Sequence, residues 1–326
     1  MGRRKSGRNV NGVILLNKPL HMSSNAALQK VRRFFNANKA GHTGALDPLA
    51  TGLLPLCFGE ATKLSHFSLE ADKGYRVTAH LGIRTTTSDA EGEVVAEHEV
   101  DIDEAQIRAL LPQFMGKQLQ SPSMYSALKH EGRPLYAYAR EGIEVPRKTR
   151  EIEIKEITLL GYQAPYLELD VRCSKGTYIR TLIDDFGQAL GCGAHVSALH
   201  RTWIEGVEGE MVSIEQLQQL APERFDDERD LAIDYSAIEQ QLLPHDCIIQ
   251  QFPVVDIDAA GAARFQAGNP ADYLSHQQDH DQHHEGLQEG ALVRAKRDQD
   301  QAFLGVGFIR DGKVWPKRVC LDVPPI

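Results

Sequence analysis

The sequence contains no apolar run approaching the ~18 residues a membrane-spanning helix requires, so no spanning helix is expected. Cysteine is scarce and scattered. Cys57, Cys173, Cys192, Cys247 and Cys320 stand singly, odd in number, without a C-x-x-C spacing. Neither a thiolate zinc site nor a disulfide framework is expected, and a reducing cytoplasm is the compartment that fits. The basic start Met1-Gly2-Arg3-Arg4-Lys5 is followed only by Val13-Ile14-Leu15-Leu16, too short for the apolar segment of a secretory leader. Internal repeats are lacking too. With 27 glycines and 15 prolines in 326 residues, collagen-like and low-complexity classes are out. What remains is an ordinary folding composition, 42% hydrophobic and 25% charged, long enough for a large core and about two domains.

The net charge of −9 speaks at first sight against a nucleic-acid partner, but the average hides an asymmetry. Residues 1–65 carry ten Lys/Arg against two acids, Asp47 and Glu60, or +8; residues 66–326 carry 26 against 43, or −17. A second basic stretch, Lys129 to Arg150, holds six Lys/Arg against three Glu, while Glu205 to Glu239 holds eleven acids and two arginines. Polyanions respond to local potential rather than to net charge, so RNA or DNA stays open. A solvated face is the ordinary meaning of any one charge run.

Val10–Leu16 reads as a buried strand ending at Lys18-Pro19. Ser23 or Ser24 can cap a helix whose apolar stripe is Ala27, Leu28, Val31, Phe34 and Phe35, with Lys30, Arg32 and Arg33 on the other face. In Gly41–Gly52, three glycines and a proline predict an ordered loop rather than helix or central strand. Alternation predicts a half-buried strand over Gly74–Leu81, with Tyr75, Val77, Ala79 and Leu81 inward. An amphipathic helix is expected over Asp103–Met115. Gln120–Arg150, basic, aromatic and broken by Pro122, Pro134 and Pro146, reads as an excursion from the core. Strands are expected over Ile152–Leu160, Leu167–Cys173 and Ala194–Ile204, and a helix over Tyr178–Leu190. The mixture without βαβ rhythm predicts an α+β fold. After a boundary near 245–252, a short helix over Asp256–Gln266 and strands over Ala291–Ala295, Ala302–Ile309 and Val314–Leu321 predict a small β-rich domain. Ser275–Glu289 carries His276, His280, His283 and His284; without flanking periodicity to hold them rigid, a solvated loop is expected rather than a metal site.

Among residues able to carry chemistry, Asp47 stands out: a charge in a Gly-Pro-restrained loop between Leu46 and Leu49. Two readings stay open. It opens a turn before Pro48, or it is a carboxylate held rigidly where a substrate meets the backbone, as nucleophile or base. In the second case an apolar pocket demands a cation to keep it ionised. Tyr75 is either a core tyrosine or a ring on which a base stacks. Arg180 pairs either with Asp184 one turn on or with a distant carboxylate.

Taken together, these residues carry a resemblance. Gly41-His42-Thr43-Gly44-Ala45-Leu46-Asp47-Pro48-Leu49-Ala50-Thr51-Gly52-Leu53-Leu54-Pro55 closely resembles the signature loop of the TruB family of tRNA pseudouridine synthases. In the family's order come Leu16-Asn17-Lys18-Pro19 before it, then Gly59-Glu60-Ala61-Thr62-Lys63, Lys73-Gly74-Tyr75-Arg76 and Ser174-Lys175-Gly176-Thr177-Tyr178-Ile179-Arg180-Thr181-Leu182. Leu199-His200-Arg201-Thr202 is also similar, with His200 where an arginine is common. The likeness covers about residues 10–205, and residues 250–326 more vaguely resemble a PUA-type RNA-binding domain.

The resemblance implies a mixed or antiparallel-sheet catalytic core over 1–249, with a thumb-like RNA-binding insertion at about 120–150 and a PUA-like unit over 250–326. It implies an isomerase for uridine 55 in the TΨC arm of tRNA, working on a flipped-out nucleotide without cofactor or metal. Asp47 would attack C6 or C1′, or start a glycal route. Tyr75 would stack on the base, and Arg180 would hold Asp47. His42 would fill the space vacated in the RNA, and Tyr178 and Leu199 would line the base pocket. Lys18 and Lys63 would meet phosphates. The tRNA T-arm would be the partner of a monomer needing neither membrane nor obligatory protein subunit. Two other classes fit less well. One is an RNA-binding or RNA-folding module without chemistry; the other is a guide-RNA-dependent synthase subunit, which generally lacks the long insertion.

Overall fold

The computed structural model describes residues 7–126, 128–222, 233–274 and 287–321. The four histidines at 276–284, the basic triplet at 3–5 and part of the acidic stretch fall outside these residues. An eight-stranded mixed sheet organises the first 204 residues. Its strands are β1 (Gly12–Lys18), β2 (Ala40–His42), β3 (Ala50–Phe58), β4 (Lys73–Leu81), β5 (Gly116–Gln120), β6 (Arg150–Gln163), β7 (Tyr166–Cys173) and β8 (Ala194–Ile204). They run in the order β1-β3-β8-β4-β7-β6-β5, with β2 also on β3. All neighbours are antiparallel except β3 and β8, so the fold is α+β.

The pleat sorts side chains onto two cores. Ile14 and Leu16 of β1, Leu54, Leu56 and Phe58 of β3, and Tyr75, Val77, Ala79 and Leu81 of β4 enter the larger one. The helices Ser24–Phe34 and Ile179–Leu190 cover that face with Ala27, Leu28 and Val31, and with Leu182, Ile183 and Phe186. Val13, Leu15, Leu53 and Cys57 point the other way, onto Cys247–Ile249, Val306 and Cys320. The second sheet, β9 (Val254–Ile257), β10 (Leu292–Arg297), β11 (Phe303–Arg310) and β12 (Lys313–Val319), is thereby seated against the back of the first. It also has its own core around Phe265, Val293 and Leu304.

Three expectations are corrected. Gly41–Gly52 is not loop throughout: Gly41 and His42 belong to β2, and Ala50–Gly52 begin β3. Gly52 is compatible with a strand because it takes φ +98° where the Arg201 backbone of β8 passes, and a Cβ there would lie 2.4 Å from the Arg201 carbonyl oxygen. The helix expected from Asp256 starts at Ala259, capped by Asp258, because Asp256 and Ile257 are taken by β9 pairing in parallel with β10. The helix expected to Met115 ends at Leu110 and tightens to a 3₁₀ turn over Leu111–Phe114, where Pro112 lacks the donor.

The insertion between β5 and β6 leaves the sheet as extended chain. It forms a two-residue-stranded hairpin, Lys129–His130 with Arg133–Pro134, and the short helix Leu135–Ala139. Arg147 ties its far limb back, donating to the Pro122 carbonyl at 3.1 Å.

Candidate active site

A cleft of about 440 Å³ opens where β3, β4 and β8 meet the N-terminus of the helix Ile179–Leu190, a size suited to one small organic group. Asp47, Tyr75, Tyr178, Arg180 and Leu199 line it together. His42, Lys18 and Lys63 do not.

The chain is pinned on both flanks of Asp47. Ser24, buried at the start of its helix, donates to the Leu46 carbonyl (3.0 Å) and accepts from the Leu46 N–H (2.7 Å). The Asp47 carbonyl accepts from Ala50 N–H at 3.0 Å, so the chain does turn through Pro48. The carboxylate serves something else: its Oδ2 lies 3.1 Å from Arg180 Nε. The backbone thus makes the turn and the side chain an ion pair. Arg180 takes the distant carboxylate, while Asp184 is engaged by Arg84 at 2.8 Å.

Arg180 is shared. Its Nη1 meets Asp89 Oδ2 at 3.0 Å and donates to the Thr87 carbonyl at 3.3 Å; its Nη2 donates to the Tyr125 carbonyl of the insertion at 2.9 Å. Arg180 and Asp89 are buried, with side chains 6% and 2% exposed, whereas the Asp47 side chain opens 44% into the cleft. Open to the cleft though it is, the carboxylate is ringed by protein. Its pKa is raised above 3.8, because desolvation outweighs the Arg180 guanidinium, and Asp89 adds to the rise. The Arg180 pair thus offsets only part of the cost of burial at Asp47.

Tyr75, 9% exposed, presents its ring from β4, directly across the strand pair from Arg201 of β8. Tyr178 caps the helix backbone. The buried Gln120 amide accepts from its N–H at 2.8 Å and donates to its carbonyl at 3.1 Å, and Arg150 lies over the ring. His42 sits on β2 with Nδ1 buried and unpartnered; burial and then Arg201 lower its pKa. His200, the departure from the family pattern, meets Thr51 Oγ1 at 2.8 Å and bridges β8 to β3.

The phosphate role expected for Lys18 is corrected. The side chain is wholly buried, and Nζ donates to the carbonyls of Pro19 (2.8 Å), Met22 (2.6 Å) and Pro48 (3.4 Å). Burial brings its pKa down to about 8, and its three hydrogens are spent on the turn beside Asp47. Lys63 is half-buried, and donates to Glu60 (2.6 Å) and to the Val319 carbonyl of β12 (3.1 Å), so it ties the two sheets. Asp89, Arg201, Lys73 and Gln120 were missed as site residues. The turn-rich run Thr86-Thr87-Ser88-Asp89 offered a signal for the first, and Arg201 and Lys73 stand in the family-like blocks Leu199-His200-Arg201-Thr202 and Lys73-Gly74-Tyr75-Arg76.

Residues 32–179 match the TruB family pseudouridylate synthase (N terminal domain), 180–250 the tRNA pseudouridylate synthase B C-terminal domain, and 253–320 the C-terminal model of pseudouridine synthase II TruB. Among solved structures, a Cbf5-Nop10-Gar1 complex superposes with a TM-score of 0.66 at 25% identity, over 91% of this chain and 78% of that one. An H/ACA RNP bound to a substrate RNA containing 2′-deoxyuridine gives 0.67 at 21%, over all of this chain and 91% of that one. The fold is therefore a pseudouridine synthase fold. The chain is 52% identical to tRNA pseudouridine synthase B of Idiomarina loihiensis over 318 residues, 97% of this chain and 96% of the relative. It is 49% identical to that of Yersinia enterocolitica over 325 residues, 99% and 94%. It belongs to the TruB family of pseudouridylate synthases.

Proposed function

We propose that the cleft isomerises uridine 55 in the TΨC arm of tRNA to pseudouridine, with Asp47 as nucleophile. The observation that carries this reading is the Asp47–Arg180 pair at 3.1 Å, its carboxylate open to a cleft walled by Tyr75. A stacked uridine is out of reach of a recessed acid, so the nucleotide leaves the RNA stack, at a cost of a few kcal/mol. Tyr75 stacks on the base; Tyr178 and Leu199 close its edges; His42 props the RNA loop. The C1′–N1 bond breaks, the uracil turns, C1′ joins C5, and C5 loses its proton. Asp47 attacks C1′ with N1 leaving and is displaced when C5 joins C1′, or adds to C6 and is eliminated after that join, or takes a ribose proton on a glycal route and returns it. None of these steps calls for a cofactor or metal.

In this reading residues 1–249 are the catalytic unit, about 120–150 the thumb-like segment that closes on the RNA arm, and 250–326 a PUA-like RNA-binding unit. The T-arm stem-loop suffices as partner, and the enzyme works as a monomer in the cytoplasm. No helix among the described residues is long and apolar enough to cross a membrane. The test is tritium release from 5-labelled uridine in a synthetic T-arm stem-loop. Wild type should release one tritium per substrate, and Asp47→Asn should lower the rate by at least about 10³-fold. No release by wild type, or an undiminished rate in the variant, overturns the reading.

A further inference from the structure

The insertion leaves the sheet at Gln120 and returns at Arg150, and these two residues face each other as the last pair of the β5–β6 ladder. Side chains directly opposite on an antiparallel pair share a face, and both reach the same neighbour, Tyr178. Gln120, 4% exposed, takes the backbone: its Oε1 accepts from the Tyr178 N–H at 2.8 Å and its Nε2 donates to the Tyr178 carbonyl at 3.1 Å. Arg150 takes the side chain, with its guanidinium carbon 5.7 Å from the ring centre.

A buried amide at the end of a strand is costly unless both its ends are bonded, and an apolar residue of the same length would fill the space without that requirement. What the two bonds secure is the start of the helix that carries Arg180. Tyr178 is the N-cap of that helix and makes no cap bond with its own side chain; its carbonyl also accepts the first helical bond, from Leu182 N–H at 3.1 Å. N–H groups at a helix start have no partner inside the helix, so the Tyr178 N–H depends on Gln120. Two residues on, Arg180 returns to the insertion by donating to the Tyr125 carbonyl at 2.9 Å. The root of the insertion, the helix start and the guanidinium thus close one ring of contacts beside Asp47.

We propose that Gln120 is a positioning residue: it sets Tyr178 and Arg180 against the root of the insertion, so that the insertion and the guanidinium paired with Asp47 hold one mutual geometry. This rests on the proposed uridine isomerisation at the same cleft. Gln120 is not part of the cleft lining; it acts through the Tyr178 backbone. A Gln120 that only stabilised the helix end would contribute to stability and leave the rate of the folded enzyme unchanged, which separates the two explanations.

The experiment is a double-mutant cycle on single-turnover tritium release at saturating T-arm stem-loop, with RNA affinity and urea unfolding measured alongside. Gln120→Met, which keeps the length and removes both bonds, should lower the rate by about 10–10²-fold with affinity changed less than about threefold, as expected for a small misplacement of reacting groups. In the Arg180→Lys background, where the guanidinium fork is already gone, the same change should cost at least about threefold less than in wild type. A cost not reduced to that extent would overturn the assignment, as would a loss confined to affinity or to stability. The contact itself is read from hydrogen exchange of the Tyr178 amide, which should be slow in wild type and at least about tenfold faster in Gln120→Met. An amide that exchanges equally fast in both refutes the tie. Should Gln120→Met not fold, the cycle is run with Gln120→Glu, which keeps an acceptor for the Tyr178 N–H but turns the donor into a second acceptor against the Tyr178 carbonyl, and the same threshold decides. A wild type that releases no tritium sinks the functional reading itself. An active wild type with an undiminished rate in the Gln120 variant sinks only Gln120.

Discussion

Two buried ionic clusters, one in the cleft and one at the seam between the sheets, use the same residue types in opposite proportion. At the seam a single carboxylate, Asp246, faces two cations: Arg294 at 3.1 Å and Lys296 at 3.3 Å. Arg294 also donates to Gln250 and to the Phe252 carbonyl, so every group there is occupied. In the cleft a single guanidinium faces two carboxylates, Asp89 and Asp47, and one of these opens to the substrate space. Excess cation on a sealed acid makes an anchor. Excess acid on a sealed cation leaves one carboxylate incompletely neutralised, and that is the one proposed above as the nucleophile.

The contrast breaks most sharply at Arg180. Arg180→Lys keeps the charge, but an ammonium has three donors and no planar fork, and cannot serve Asp47, Asp89 and the Tyr125 carbonyl in their present positions. We expect kcat for tritium release to fall by about 10²–10³-fold, with Kd for the T-arm changed severalfold at most. A variant whose only defect is weak RNA binding contradicts the role given to this arginine.

How much of this was legible beforehand differs by residue. The strand Ala194–Ile204 was read with its observed limits, and Gly74–Leu81 to within one residue, because each alternates against a neighbour that buries one face. The last two residues of β9, Asp256 and Ile257, read as helix because four residues are too few to show alternation, and the partner strand lies some forty positions on. Asp47 and Arg180 stand in motifs that mark them. Arg201 stands in such a block too, but its burial follows from what flanks it, β3 in parallel and β4 antiparallel, and no local pattern encodes that crossing. The resemblance gives Lys18 a phosphate to meet, which needs an exposed ammonium, and the side chain is buried instead. Its burial follows from three carbonyls that converge only once the Pro19 and Pro48 turns are brought together.

Asp246→Asn probes the other side of the comparison. It should leave two buried cations facing an amide and cost about 2–4 kcal/mol of stability in urea unfolding. As Asp246 is remote from the cleft lining, kcat at saturating RNA should stay within about twofold of wild type. A large loss of kcat without loss of stability would show that the seam is part of the catalytic apparatus, and the distinction between anchor and reactive site would fail.

The smallest effect is the most specific to the cleft. The Asp47 pKa is raised in the folded state, so between its ordinary value of 3.8 and that higher value the native protein binds more protons than the unfolded chain. Stability then falls as pH rises through that window, and at neutral pH the ionised carboxylate is a net cost to the fold. Asp47→Asn removes that charge while keeping a group that can accept from Arg180. The prediction is a protein without activity whose Tm at pH 7 lies a few degrees, about 1–3 °C, above wild type. The gain should vanish as pH approaches 4, where the wild-type carboxyl is itself protonated. The modest size follows from the 44% exposure of the side chain, which lets solvent screen much of the penalty. A thermal melt of the two proteins at pH 4 and pH 7 decides it. A Tm lowered at pH 7 would mean that the Arg180 pair outweighs desolvation, and that Asp47 is held in the cleft as a stabilising partner instead of a strained one.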